Sequence, residues 1–390
     1  MKRLLHGVIR IIPLLTILAW SQTPVNTAST QRTREVLNYL YQVRNQNKIL
    51  SGQQCSGYGQ EEPSHINNLV GAWPAIIGQD WLFGTNMDPG RRQIVSTLIN
   101  YTRAGGLVTL CWHQTNPKDA VPDNSGWTSV QSVMTQIEFD SMVTPGTNLY
   151  NKWLAHVDLI AGYMKTLRDS GVVILWRPYH EMNGGWFWWG AKTGSSFKRL
   201  WANMYNRLTT FHQLNNLIWV WGPNTGVVDT TYFPSPYVDV GGVDIYVQTQ
   251  TNAVFTNENT ALSRVMGQKI WALTETGLVP NSDTLALKTD YVWFLPWHTR
   301  WCDNVFYGGL PTSNGPGNSP AQLATIYNHP ATITRNEVVI PPITSIRAFT
   351  RTSGRKSGFF FTVDGRSLLG PRPKFVLLHD VQMQTSQTAH

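Results

Sequence analysis

Cysteine is scarce in this chain: Cys55, Cys111 and Cys302 are the only three among 390 residues. An odd number at wide spacing makes no disulfide framework; one bridge with one free thiol, or three buried thiols, both fit. No Cys-x-x-Cys pair or cysteine–histidine cluster offers a zinc site. Charge is scarce too, at 14% against 42% hydrophobic residues, which excludes a disordered chain. No glycine-rich dinucleotide loop follows the first apolar run, and the main body has no internal repeat or low-complexity linker. The net charge of +8 thins out once it is located. Lys2, Arg3 and Arg10 stand at the start, and the stretch Ile340–His390 holds a further excess of basic residues over Asp364 and Asp380. Residues 11–339 are formally neutral, so the body carries no electrostatic footprint for nucleic acid.

The two ends have their own readings. "MKRLLHGVIRIIPLLTILAWS" has a positive start, an apolar stretch and small residues at Ala19 and Ser21, the layout of a secretory signal peptide. Arg10 and Pro13 break the run short of the roughly 20 residues of a permanent span. Residues 1–21 are therefore expected to be a cleaved signal, the protein to be secreted with no stable membrane span, and residues 22–32 to form a linker. Residues 339–390, basic and rich in short irregular motifs, are expected to be a poorly ordered tail.

Between these ends, short apolar runs recur at Ile49–Gln53, Ala75–Trp81, Leu107–Trp112, Val172–Arg177, Leu217–Trp221, Val238–Tyr246, Lys269–Glu275 and Tyr291–His298. Amphipathic segments separate them, over Arg32–Asn47, Arg91–Ala104, Asn151–Ser170 and Phe197–Gln213. Near-continuous apolar strands alternating with helices imply a parallel sheet buried on both faces. Eight such units in roughly 300 residues predict an α/β fold, a (β/α)8 TIM barrel, rather than an open sheet. The polar and aromatic residues gather just after each run: Asp80-Trp81, Trp112-His113-Gln114, His180-Glu181, Trp221-Gly222-Pro223-Asn224, Asp244-Ile245-Tyr246, Glu275 and Trp297-His298. In a TIM barrel that is the end where chemistry sits.

Two of these exits carry a glutamate, Glu181 and Glu275. Paired carboxylates across a cleft suit glycosidic bond cleavage, one as acid and one as nucleophile, about 5–5.5 Å apart if configuration is retained. Seventeen tryptophans either fill the core or stack on a flat-faced ligand such as a sugar, and Trp186, Trp188, Trp189 and Trp297 are expected to wall the cleft. Each glutamate could instead be a structural ion pair, with Arg177 as the partner at hand. The dipeptide His180–Glu181 resembles half of a zincin motif, but residue 184 is Gly where a second histidine is required, which excludes that zinc site.

The stretches "RPYHEMNGGWFWWG" and "ALTETG" resemble the two catalytic signatures of glycoside hydrolase family 26, most of whose members are endo-β-1,4-mannanases. The resemblance runs from about Thr33 to Val338 and implies a (β/α)8 catalytic domain. It implies Glu181 as acid/base and Glu275 as nucleophile, with no metal and no cofactor. It further implies His113, His180, Trp186 and Trp297 at the sugar, and Tyr246 bonded to the nucleophile. Arg177 and Asn183 are read as supporting residues, together with Trp188 and Trp189. The partner expected is β-mannan and its oligosaccharides, met by a monomer. β-1,3-Xylanase, mixed-linkage glucanase and mannobiose-releasing activities occur in the same family, and a non-catalytic polysaccharide-binding barrel is the alternative of another class.

Overall fold

A computed structural model describes residues 22–83, 87–119, 126–226, 228–247, 255–281, 290–307 and 317–340. The expected signal peptide and all but the first two residues of the expected tail lie outside these residues. Among the described residues, no helix is long and apolar enough to cross a membrane.

Eight parallel strands form the barrel, each built on an apolar run of the sequence, three of them reaching one residue past it. They are β1 (Ile49–Leu50, resuming after Ser51 as Gly52–Gln54), β2 (Ile76–Asp80), β3 (Leu107–Trp112) and β4 (Ile174–Pro178), then β5 (Leu217–Trp221), β6 (Val240–Ile245), β7 (Ile270–Thr276) and β8 (Tyr291–Pro296). Each strand pairs with the next in sequence. The split in β1 closes the barrel: Leu50 pairs with Trp293 of β8, while Gly52–Gln54 pair with β2. A ninth strand of two residues, β9 (Thr332–Ile333), pairs beside the first half of β1. Between β6 and β7 the register shifts after Val243, so that Asp244 faces Glu275. Such a bulge re-aims side chains at the end of a strand.

The helices start where capping chemistry allows. In α1 (Gln31–Asn45) the Thr30 hydroxyl accepts from the Thr33 N–H. The long helix Asn148–Asp169 opens with Thr147 accepting from the Tyr150 N–H. Pro320–Tyr327 opens with a Ser319/Gln322 capping box and a proline in its first turn. Helix α1 touches β1, β5, β7 and β8, which a helix achieves by lying across the N-terminal end of the barrel. Its Val36, Leu37, Leu40 and Val43 share a core with Leu50, Ile218, Ile270 and Val292.

One expectation is corrected here, and one open alternative is decided. Residues 22–30 are docked, not a free linker: the Val25 N–H donates to Asp239 Oδ1 at 2.7 Å, the Thr30 N–H donates to the Asn215 carbonyl at 3.0 Å, and Asn26 is buried. The tryptophan enrichment is mainly packing: ten indoles, including Trp153, Trp176, Trp188 and Trp189, are less than 2% exposed. Each is worth about 3–5 kcal/mol against alanine. All three cysteines are buried free thiols, one of the two arrangements the spacing left open.

Candidate active site

At the C-terminal ends of the strands opens a cleft of about 430 Å³, lined by His113, Trp127, Gln131, His180, Glu181, Trp186, Phe187, Asn224, Thr225, Tyr246, Glu275 and Trp297. Seven of the residues expected from the sequence meet there: both glutamates, His113, His180, Trp186, Tyr246 and Trp297.

Glu275 is the penultimate residue of β7 and is 3% exposed. Its Oε2 accepts the Tyr246 hydroxyl at 2.8 Å, and its Oε1 pairs with Arg177 Nη2 and lies 3.7 Å from His180 Nε2. Burial, then the negative charge of Glu275, pushes the Tyr246 hydroxyl well up, so it stays a donor. The ion pair with Arg177 that could have made this glutamate merely structural therefore exists, in a residue that also faces the cleft. Arg177, fully buried, also gives Nη1 to Asp244 Oδ2 at 2.8 Å, and the Thr274 hydroxyl donates to Asp244 Oδ1 at 2.6 Å. Burial alone would lower Arg177; Asp244 and Glu275 together raise it above its ordinary value. The cation is thereby fixed beneath Glu275, a supporting place.

Glu181 sits one turn beyond β4, 8% exposed, on a backbone of φ 55°. A left-handed conformation in a long side-chain residue costs on the order of 1 kcal/mol and marks a position held by its surroundings. Its N–H donates to the Gly222 carbonyl at 2.7 Å, tying the β4 loop to β5. Its Oε2 accepts the Trp186 indole N–H at 2.6 Å. Burial first, then the charge of Glu275, pushes the carboxyl from 4.5 to about 7, against the pull of Trp186, Arg177 and His113. Two carboxyls share one cleft in contrasting settings, the pattern that separates acid from nucleophile.

The histidines complete the floor. His113 pairs through Nδ1 with Asp80, whose Oδ1 also accepts the His113 and Leu82 N–H groups at 3.2 and 3.0 Å. Burial would raise Asp80, but His113 beside it outweighs that and holds the carboxyl below its ordinary value. The His180 ring stands edge-on to His113 at 4.6 Å; burial, Arg177 and His113 keep it neutral.

The wall differs from expectation. Trp188 and Trp189 are sealed behind the site and offer no face to a sugar: their indole N–H groups donate to the carbonyls of Gln114, at 2.7 Å, and His180, at 2.8 Å. A run of adjacent indoles cannot all face one cleft, because their side chains diverge around the loop. Phe187 lines the cleft instead, stacked on Trp189 at 4.5 Å. Trp127, 41% exposed, stands across from it beside His113 at 5.3 Å. Asn183 exchanges two hydrogen bonds of 2.8 Å with the backbone of Asn224, joining the β4 and β5 loops. Asp80, Trp127, Phe187 and Asn224 were missed as site residues. Asp80 and Asn224 stood out at strand exits without being assigned to the site, whereas Trp127 lies in a five-residue helix, Gly126–Val130, too short for a periodicity to flag it.

Among the described residues two clusters bring metal-type ligands within 4.8 Å, Asp80–Cys111–His113 and His180–Asp244–Glu275. Neither suits an ion. In the second the Arg177 guanidinium already occupies the space between the carboxylates. In the first Asp80 and His113 spend their atoms on each other, and burial pushes the Cys111 thiol well above its ordinary value.

A closed parallel barrel with two such carboxyls in an aromatic cleft has the parts that glycosidic bond cleavage calls for. The family model of Glycosyl hydrolase family 26 matches residues 25–337, and the chain belongs to that family. It is 29% identical over 324 residues to a mannan endo-1,4-beta-mannosidase of Thermothelomyces thermophilus, covering 80% of this chain and 62% of that one. It spans 42% and 47% of the length of two further curated relatives, from Piromyces sp.. The solved structure of GH26A from a Muricauda species is 32% identical, with a TM-score of 0.71, over 80% of this chain and 99% of that one. A β-mannanase from a symbiotic protist of the termite Reticulitermes speratus, solved with a gluco-manno-oligosaccharide, is 29% identical with a TM-score of 0.69, over 82% of this chain and 97% of that one.

Proposed function

We propose that the protein is an exported endo-hydrolase of β-1,4-mannans that works by double displacement, with Glu275 as nucleophile and Glu181 as acid and then base. The observation that carries this reading is the pair of carboxyls in one cleft, Glu275 bonded to Arg177 and Tyr246, Glu181 pushed up to about 7. In the first half, Glu275 attacks the anomeric carbon while Glu181 gives its proton to the departing oxygen. In the second, Glu181 takes a proton from water, and the water oxygen displaces Glu275. A binding barrel would need an aromatic wall but not a second glutamate fixed by a buried arginine.

Mannan as substrate is supported by the relatives named mannan endo-1,4-beta-mannosidase and by the gluco-manno-oligosaccharide held by the protist β-mannanase. Trp186 and Trp297 supply apolar faces for pyranose C–H groups. Export rests on the layout of residues 1–21.

Incubation with galactomannan, arabinoxylan, β-1,3-xylan and mixed-linkage glucan, with product sizes resolved, tests this. A ladder of manno-oligosaccharides from galactomannan is the expected result. Mannobiose alone would show exo action, and cleavage confined to a xylan or the glucan would refute the mannan assignment.

A further inference from the structure

The stretch from His180 to Trp186 folds back on its own glutamate. The Glu181 carbonyl accepts the Gly184 N–H at 2.9 Å, closing a turn immediately after the left-handed residue. A Cβ on Gly184 would lie 2.3 to 2.6 Å from three carbons of the six-membered ring of Trp186. That ring therefore rests on the bare backbone of Gly184, and glycine is what lets it approach so closely. Seated there, the indole turns its N–H onto Glu181 Oε2 at 2.6 Å. The same ring is 40% exposed and forms part of the cleft wall.

Of the two oxygens of a protonated carboxyl the carbonyl oxygen is the better acceptor, so an oxygen that holds a donor this close is the poorer place for the proton. The acidic proton of Glu181 therefore belongs on Oε1. An indole N–H also cannot reverse its role: it donates to the carboxyl and to the carboxylate alike, and more strongly to the latter.

We propose that Trp186, seated by Gly184, is a positioning residue for Glu181: its N–H selects the oxygen that carries the proton and holds the carboxylate once that proton has left. This deepens the reading of Glu181 as acid/base and rests on it. Gly184 is then part of the acid's support, with stacking on sugar a second duty of the same indole.

The groups that bear on the charge of Glu181 are Glu275, which raises it, and Arg177 and His113, which lower it, with Asp244 and Tyr246 also within its field. All of them stay in place in Trp186→Phe, which keeps an aromatic face and loses the donor. The ionised form of Glu181 loses a bond, so its pKa rises and the alkaline limb of kcat/KM moves to higher pH. For a half-exposed charge-assisted bond the shift is about half a unit to one unit. Gly184→Ala, which keeps the donor but lifts the ring, should move the limb the same way. The double variant should move it no further than Trp186→Phe alone.

The profile is to be measured on a manno-oligosaccharide, whose leaving oxygen needs the Glu181 proton, with the full-length protein and with thermal midpoints of each variant to show that it is folded. A lower rate with an unmoved limb in Trp186→Phe overturns the proposal, as do additive shifts in the double variant. Azide is added in parallel to Glu181→Ala acting on an aryl β-mannoside with a good leaving group. Rescue there with an unmoved limb in Trp186→Phe removes the role of Trp186 alone, whereas no rescue removes the acid/base reading and this proposal with it.

Discussion

The two rims of the cleft carry the same side chain in opposite settings. On the β7 rim, Glu275 stands near the end of a strand in a bulged part of the sheet and meets a guanidinium and a hydroxyl, both built to face negative charge. On the β4 rim, Glu181 stands on a loop in strained backbone, among aromatic rings, with one indole N–H as its donor. What separates the two chemistries is the number and charge of the donors that the fold delivers to each carboxyl. Strand ends deliver buried, rigid partners; a loop can leave a carboxyl apolar on one side and open on the other.

Breaking the β7 rim should have the largest effect. Glu275→Ala is expected to lose roughly 10⁴-fold or more in kcat on polymer and on activated aryl mannosides alike, since no other group can form the covalent intermediate. Substantial residual hydrolysis by purified enzyme would refute its place as nucleophile. Breaking the β4 rim should be selective. Glu181→Ala is expected to lose roughly 10²- to 10⁴-fold on mannan, where the leaving oxygen needs a proton, and far less on an aryl glycoside with a good leaving group. Equal losses on both substrates in parallel assays would count against the acid/base role.

Finer changes sharpen the contrast. Tyr246→Phe removes one donor from Glu275 and leaves Arg177 in place, so a fall in kcat of about tenfold is expected, with KM little changed. A change confined to KM would move Tyr246 from the nucleophile to the sugar. The smallest effect is a displacement along the pH axis. Because Glu181 must be protonated to act as acid and is pushed up to about 7, kcat/KM should decline as pH rises through about 7. A decline set near pH 4.5, the ordinary carboxyl value, would show that burial and Glu275 do not act on it as argued.

Strand positions were legible because buried parallel strands read as unbroken apolar runs, and all eight runs became barrel strands. The long helix was legible too: Leu154, Val157, Ala161 and Met164 recur at helical spacing, and the helix observed begins three residues before the expected Asn151, at its Thr147 cap. The glutamates stood out because carboxylates directly after apolar strands have few structural uses. The wall was only half legible. Composition counts indoles but does not say which way they point, and Trp188 and Trp189 turned inward to bond backbone carbonyls. Asp80 was passed over because its value depends on His113 lying on the neighbouring strand, a relation that exists only across the sheet. Residues 22–30 looked like a linker because their anchoring is made by backbone and asparagine hydrogen bonds to distant loops, which leave no periodicity.

The left-handed backbone at Glu181 has a consequence for how the molecule tolerates change. Glycine and asparagine enter that conformation far more readily than glutamate, and neither brings a carboxyl that must shed water. Glu181→Asn should therefore melt a degree or more above the parent in a calorimeter while it loses its work on mannan. The protein is, at that one residue, less stable than a silent version of itself.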